Sequence, residues 1–280
     1  MDKKLIDLFI KNAIAEDLGD GDHTSLSTIS AGAVGKAKLL VKEEGVLAGV
    51  ELALEIFNQV DPTLEIEVFI NDAEHVSYGD VAFTVSGSSH AILLAERLVL
   101  NCMQRMSGIA TKTNRIVNLL QGYDTQLLDT RKTTPGLRYL EKWAVRIGGG
   151  VNHRIGLYDM ILIKDNHVDY AGGISNAIAA ANAYLSDQNK QLEIEIEVRN
   201  LDELAQVLAQ GRVNRIMLDN FSFADLREAV KQIDHQYTTE ASGGITEDNI
   251  TEYAACGVDF ISMGALTHSV KSLDMSLKAY

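Results

Sequence analysis

Apolar and polar positions follow one rule up to about residue 110 and another beyond it. In the second part, short β-type runs appear at Gln126–Lys132, Asp159–Lys164, Leu192–Val198, Arg215–Asp219, Tyr237–Ala241 and Phe260–Met263. Helical patterns lie between most of them. Gly173–Ser186 is Ala-rich, and Leu201–Gln210 carries Leu201, Leu204, Val207 and Leu208 at helical spacing. Ser222 with Asp225 three residues on opens Phe223–Ile233 as a capping box. Thr246–Cys256 starts at a Thr cap and stops before Gly257, a favoured residue just past a helix end. This alternation predicts parallel strands joined by right-handed crossovers. The first third reads differently. Lys3–Asp17 is an amphipathic helix with Leu5, Leu8, Phe9 and Ile14 on one side. Ala33–Leu47, Leu64–Ile70 and Val81–Ser86 alternate as strands, Leu52–Val60 is helical, and Ala91–Leu120 is a long helix, with or without a break.

Each strand of the second part ends in a chemically useful group: Arg131-Lys132, Lys164-Asp165, Glu197, Asp219-Asn220, Ser242-Gly243 and Gly264. Parallel α/β sheets and barrels place their sites at the C-terminal strand ends. Six ends converging on one rim fit a barrel better than an open sheet. An eight-stranded barrel takes about 250 residues, and the roughly 150 here leave room for about six strands. The predicted fold is α/β: an N-terminal α+β sandwich-like domain (1–110) and an incomplete six-stranded α/β barrel (111–269). Residues 270–280 are expected to pack back onto the first domain.

Charge sharpens the picture. The 280-residue chain carries a formal net charge of −14, yet Arg131-Lys132, His153-Arg154 and Lys164 gather within Leu127–His167. Cations concentrated on an acidic chain imply a pocket for a small anion and argue against nucleic acid as a partner. No apolar run approaches the roughly 18–20 residues of a membrane span. The N-terminus lacks the features of a signal peptide. Cys102 and Cys256 form no CxxC and have no ligand-like spacing to histidine, so a reducing compartment, the cytoplasm, is expected.

Ser242-Gly243-Gly244 lies between a strand and a helix start, where glycines let the backbone approach a phosphate; a tight βα turn is the plainer reading. Gly264, ending the next strand, favours the phosphate. Glu193, Glu195 and Glu197 share one face of their strand, the first two expected outward and solvated or helix-paired. Glu197 and Asp219, each ending an apolar strand, suggest ribose hydroxyls and Mg²⁺. One of Arg131 and Lys132 must point inward; arginine suits carboxylates, lysine suits phosphates. Asp165-Asn166-His167 is either catalytic or a loop that orients Lys164. His23 reads as a turn residue, and His75, His90, His235 and His268 show no pattern. Trp143 and Tyr139 read as packing residues.

Several longer strings resemble quinolinate phosphoribosyltransferase, also called carboxylating nicotinate-nucleotide pyrophosphorylase. They are D-T-R-K-T-T-P-G-L-R, H-R-x-x-L-Y-D, I-K-D-N-H, L-D-N-F, E-A-S-G-G-I-T and I-S-M-G-A-L-T-H-S, with E-D-L-G-D-G-D-H-T-S and A-E-R-L-x-L-N upstream. The resemblance spans nearly the whole chain. It implies the same two-domain architecture, and transfer of phosphoribosyl from 5-phosphoribosyl 1-diphosphate to quinolinate with Mg²⁺. The products would be nicotinate mononucleotide, pyrophosphate and CO₂. It also implies that Arg131, His153, Arg154 and Lys164 hold the quinolinate carboxylates, with Arg97 reaching in from the partner subunit of a homodimer. Lys132, Glu197 and Asp219 would engage the phosphoribosyl diphosphate and its metal, and Ser242, Gly243, Gly244 and Gly264 would cradle its 5-phosphate. Lys132, Lys164, Glu197 and Asp219 are the expected catalytic groups. A paralogous transferase for another pyridine or acid, or a non-catalytic phosphoribosyl sensor, are the competing readings. The first should lose a carboxylate-binding cation and the second should lose Glu197 or Asp219, and all of these are present.

Overall fold

The amphipathic start of the chain forms α1 (Lys3–Leu18), which buries Ile10, in a computed structural model that describes residues 3–280. A second helix, α2 (His23–Thr28), replaces the expected turn at His23. Asp22 makes it possible: its carboxylate accepts the Ser25 N–H at 3.0 Å, capping the helix's free donors. Then come β1 (Val34–Val41), β2 (Gly45–Val46), α3 (Val50–Val60), β3 (Glu65–Val68), β4 (His75–Val76), β5 (Val81–Ser88) and α4 (Ser89–Leu119). The single strand expected over Ala33–Leu47 is therefore two, the second pairing with β4. The long helix α4 is unbroken over 31 residues. Gly108 within it is required, because a side chain there would run into the Lys271 carbonyl.

The chain divides into two units. The first takes residues up to Asn114, Thr134–Gly149 and Ser269–Tyr280. Thr134–Gly149 holds an unanticipated helix, α5 (Arg138–Ile147), so the barrel segment expected to run unbroken from 111 to 269 is interrupted. Within the unit, Arg105 on α4 meets the buried Glu141 of α5 at 2.8 Å. The C-terminal segment joins as a strand, β12 (Met275–Ala279), antiparallel to β1 from Ala37↔Ala279 to Val41↔Met275. The sheet order is β12-β1-β5-β3. Its inner face is apolar: Leu39, Phe83 and, from α3, Phe57 are fully buried, with the two rings edge-to-face at 5.9 Å.

The second unit takes Arg115–Thr133 and Gly150–His268. Its strands are β6 (Gln126–Leu128), β7 (Ile161–Ile163), β8 (Ile194–Val198), β9 (Arg215–Asp219), β10 (Thr238–Ser242) and β11 (Phe260–Ser262). The helices are α6 (Asp165–Ala171), α7 (Ile174–Asp187), α8 (Leu201–Gln210), α9 (Phe223–Ile233), α10 (Ile250–Ala254) and α11 (Ala265–His268). The six strands are parallel in the order β6-β11-β10-β9-β8-β7, so the two that come first in sequence lie at opposite edges. Caps fix the crossovers: the Asn200 side chain accepts the Glu203 N–H at 2.9 Å and the Ser222 hydroxyl accepts the Asp225 N–H at 3.2 Å. One boundary moves. The helix expected to start at Thr246 begins at Ile250, because the Asn249 side chain folds back, its oxygen taking the Thr246 N–H at 2.8 Å and its amide donating to the Gly244 carbonyl at 3.2 Å.

Candidate active site

All six strand ends of the second unit open into one cavity of about 900 Å³. Its wall runs from Arg131-Lys132 after β6 through Lys164 after β7, Glu197 on β8 and Asp219 on β9 to Ser242-Gly243-Gly244 after β10 and Gly264 after β11. His153 and Arg154 line it too. Residues that end opposite edge strands thus face a common hollow, so the sheet is curled. Of the expected positions only Arg97 is absent from this wall; it lies exposed on α4 in the first unit.

The cationic side is built for an anion. Arg131 buries its Nε, and no hydrogen-bond partner meets that atom among the described residues. A buried donor left unsatisfied is costly, so an acceptor supplied by a ligand is favoured there. Burial and the neighbouring charge of Arg131 both push the Arg154 pKa below its ordinary value. Arg154 commits one guanidinium nitrogen to the Met160 carbonyl at 3.2 Å. Its loop is closed by Asp159, whose carboxylate accepts the Ile155 and Gly156 N–H groups at 2.7 and 2.9 Å.

Lys164 is half exposed and donates to Glu197 Oε2 at 2.9 Å. Its backbone N–H donates to His167 Nδ1 at 2.9 Å, so the Asp-Asn-His segment orients Lys164 by opening α6 behind it. Lys132 lies across Gly264: a Cβ there would sit 2.7 Å from Lys132 Cδ and 3.1 Å from the His268 ring. Gly264 is therefore a glycine because two cavity-lining side chains fill the space beside it. Beyond β10, Gly243 and Gly244 have φ of 92° and 63°, the left-handed region that glycine enters without steric cost. Since α10 starts at Ile250 and has five residues, the turn's own N–H groups, and not the expected helix terminus, are the donors placed here for an anion.

Under the rim lies a buried charged cluster. Glu195, expected outward, is fully buried, while Glu193 is exposed. His153 Nε2 lies 2.8 Å from Glu195 and 3.5 Å from Glu240, and Arg215 reaches Glu240 at 3.2 Å. The expectation failed on a point of strand geometry. Side chains alternate along a strand, so an inward Glu197 carries Glu195 inward with it, and an inward Ser242 does the same for Glu240. Burial and the Glu240 charge push Glu195 up to about 7. Burial opposes a charge on His153, but the two carboxylates outweigh it and would raise the ring to about 9. Hydrogen bonding argues the other way. The Arg154 N–H donates to His153 Nδ1 at 2.7 Å, and an imidazolium has no lone pair to offer it. That contact favours a neutral ring, with the added proton on the carboxylates. His153, Glu195 and Glu240 are close enough to share a metal, but Arg215 already supplies the positive charge a metal would bring. His268, which showed no pattern in sequence, joins the wall because it falls one helical turn after Gly264.

Six inward-facing strand ends, a cationic corner and a glycine turn across one hollow define an α/β barrel protein with a cavity suited to anionic ligands. Residues 22–107 match the description "Quinolinate phosphoribosyl transferase, N-terminal domain" and residues 109–278 match "Quinolinate phosphoribosyl transferase, C-terminal domain". The chain belongs to the quinolinate phosphoribosyl transferase family. It is 46% identical to the chloroplastic nicotinate-nucleotide pyrophosphorylase [carboxylating] of Arabidopsis thaliana, over 96% of this chain and 81% of that one. It is 41% identical to the probable nicotinate-nucleotide pyrophosphorylase [carboxylating] of Bacillus subtilis, over 98% and 92%. Among solved structures, that of the nicotinate-nucleotide pyrophosphorylase from Francisella tularensis superposes with a TM-score of 0.92 at 41% identity, covering 100% of this chain and 98% of that one. NadC from Streptococcus pyogenes gives 0.93 at 37% identity, covering 99% and 97%. No helix among the described residues is long and apolar enough to cross a membrane.

Proposed function

We propose that the cavity holds quinolinate against its cationic corner and 5-phosphoribosyl 1-diphosphate against the glycine turn, and joins them with loss of CO₂. The chain is a decarboxylating pentosyltransferase that makes nicotinate mononucleotide for NAD synthesis. The unpartnered buried Nε of Arg131, beside an Arg154 already destabilised by that charge, is the observation that carries this reading. Quinolinate is a dianion whose adjacent carboxylates satisfy both guanidiniums at once. A mono-acid would leave one unpaired, which is a source of selectivity.

Arg131, Arg154 and Lys164 grip the carboxylates, with His153 beneath them. The pyridine nitrogen is thereby aimed at the anomeric carbon. Its lone pair forms the C–N bond as the C–O bond to pyrophosphate breaks. Lys132 offsets the charge growing on the departing pyrophosphate, and Glu197 and Asp219 stabilise the cation-like ribosyl centre. Ser242, Gly243, Gly244 and Gly264 hold the 5-phosphate. The quaternised ring then accepts the electron pair released as the adjacent carboxylate leaves as CO₂, and a solvent proton replaces it on the ring carbon. Glu197 and Asp219, hard oxygen donors on one wall, would hold a Mg²⁺. The ion would neutralise diphosphate charge. Arg97, exposed on α4, reaches the site of a partner subunit in a homodimer. Two buried cysteines accord with a cytoplasmic setting. Incubating the protein with both substrates and Mg²⁺ must release CO₂ and nicotinate mononucleotide in equal amounts; CO₂ without the nucleotide, or neither product, refutes the assignment.

A further inference from the structure

Among the cavity-lining side chains with no part in the scheme above is Asn220, the residue after Asp219. Its backbone sits at φ 55°, a left-handed conformation that asparagine tolerates better than most residues. Three contacts hold it there. Its N–H donates to the Ser242 carbonyl at 2.8 Å, extending the ladder one step beyond the Asp219↔Ser242 register. Its side-chain amide donates to Asp219 Oδ2 at 2.6 Å. The same amide fills the space beside the bare Cα of Gly243, where any Cβ would collide with it.

We propose that Asn220 is a positioning residue for 5-phosphoribosyl 1-diphosphate, locking the Asp219 carboxylate to the Ser242-Gly243-Gly244 turn so that ribose and 5-phosphate are gripped in one fixed register. The terminal torsion of an aspartate is broad, so a carboxylate at a strand end samples many orientations unless something holds it. An amide on Oδ2 removes that freedom and leaves Oδ1 for the ligand. The steric contact with Gly243 and the bond to Ser242 set the spacing to the turn. Preorganisation of this kind is felt in binding of the ligand it serves and not in binding of the other substrate.

The proposal rests on the reading that Asp219 and the turn hold this ligand, so the test separates the two. Steady-state kinetics with each substrate varied would be measured for Asn220→Gly, Asn220→Ala and Asp219→Asn, with thermal melts alongside. Asn220→Gly keeps the left-handed backbone and loses only the amide. It is expected to raise KM for 5-phosphoribosyl 1-diphosphate about tenfold, the scale of a lost hydrogen bond to a charged group, with KM for quinolinate within about twofold. Asn220→Ala should be worse, since it strains the backbone as well. Gly243→Ala should be less harmful in the Asn220→Gly background than in the native one, because the colliding amide is gone. If Asp219→Asn damages use of 5-phosphoribosyl 1-diphosphate while Asn220→Gly matches the native enzyme, the proposal falls and the reading stands. Equal rises in both KM values also overturn it, since they mean general damage to the site. If Asp219→Asn itself leaves both kcat and this KM unchanged, the underlying reading fails and takes the proposal with it.

Discussion

The inner face of the antiparallel sheet and the interior of the curled parallel sheet are both shut off from water, yet they are filled oppositely. The first holds Leu39 and Phe83 with Phe57 against them; the second holds Glu195, Glu240, His153 and Arg215. Apolar burial stabilises a fold directly, whereas a buried ion pair gains little over a hydrophobic replacement and is costly to break. Charges kept in a barrel interior just below a cationic rim are therefore best explained by what the rim does. The inner face of the antiparallel sheet serves stability, and the charged cluster inside the parallel sheet serves the electrostatics of the rim.

Substitutions can break that contrast. Phe83→Ala should cost about 3–5 kcal/mol in chemical denaturation, as large core truncations do, without changing the ratio of the two substrate affinities in whatever protein remains folded. A changed ratio would mean the first unit shapes the site. Arg131→Ala should abolish turnover and weaken quinolinate binding on the order of a hundredfold, far more than binding of 5-phosphoribosyl 1-diphosphate, because an anion loses its principal charged partner. Equal losses in calorimetric titrations of both ligands would sink that assignment.

Glu195→Gln gives a subtler result with a definite sign. The Glu195 carboxyl is raised from 4.5 to about 7, so between those values the folded chain keeps a proton that the unfolded chain has released. The folded state binds more protons there, and its stability falls as pH rises through the window. Glutamine has no such proton to lose. Melting temperatures compared at pH 5 and pH 8 should therefore shift in favour of the variant at the higher pH, and an offset independent of pH would contradict the burial argument. The smallest expected effect is a partial recovery. Arg97→Ala and Lys164→Ala proteins, each inactive alone, should regain a fraction of native activity when mixed, through hybrid dimers with one intact site. No recovery after confirmed subunit exchange counts against a role for Arg97 across an interface.

Most of the cavity was legible before any fold was known. Arg131, Lys132, Lys164, Glu197, Asp219, Ser242 and Gly264 announce themselves as polar groups closing apolar runs, and all line the hollow. Glu240 was missed because, within T-T-E-A-S, it reads as an ordinary polar strand residue. Asn220 drew no separate role because its meaning lies in its contact with Gly243, a residue on the following strand's turn and well separated from it along the chain. The His268 side chain needed the four-residue helix α11 to bring it round to Lys132 and Gly264.

Periodicity and caps are local. Spacing along the chain therefore suffices to locate α8, α9 and β9, whose observed bounds coincide with their patterns, and to count six parallel strands. Which side of β8 and β10 becomes interior depends on how the whole sheet curls, a closure between residues far apart in sequence. The same long-range packing recruited Met275–Ala279 into the first sheet, whereas the delay of α10 to Ile250 is local, the work of the Asn249 side chain. Alternation names two faces of a strand; only closure of the sheet says which one water never reaches.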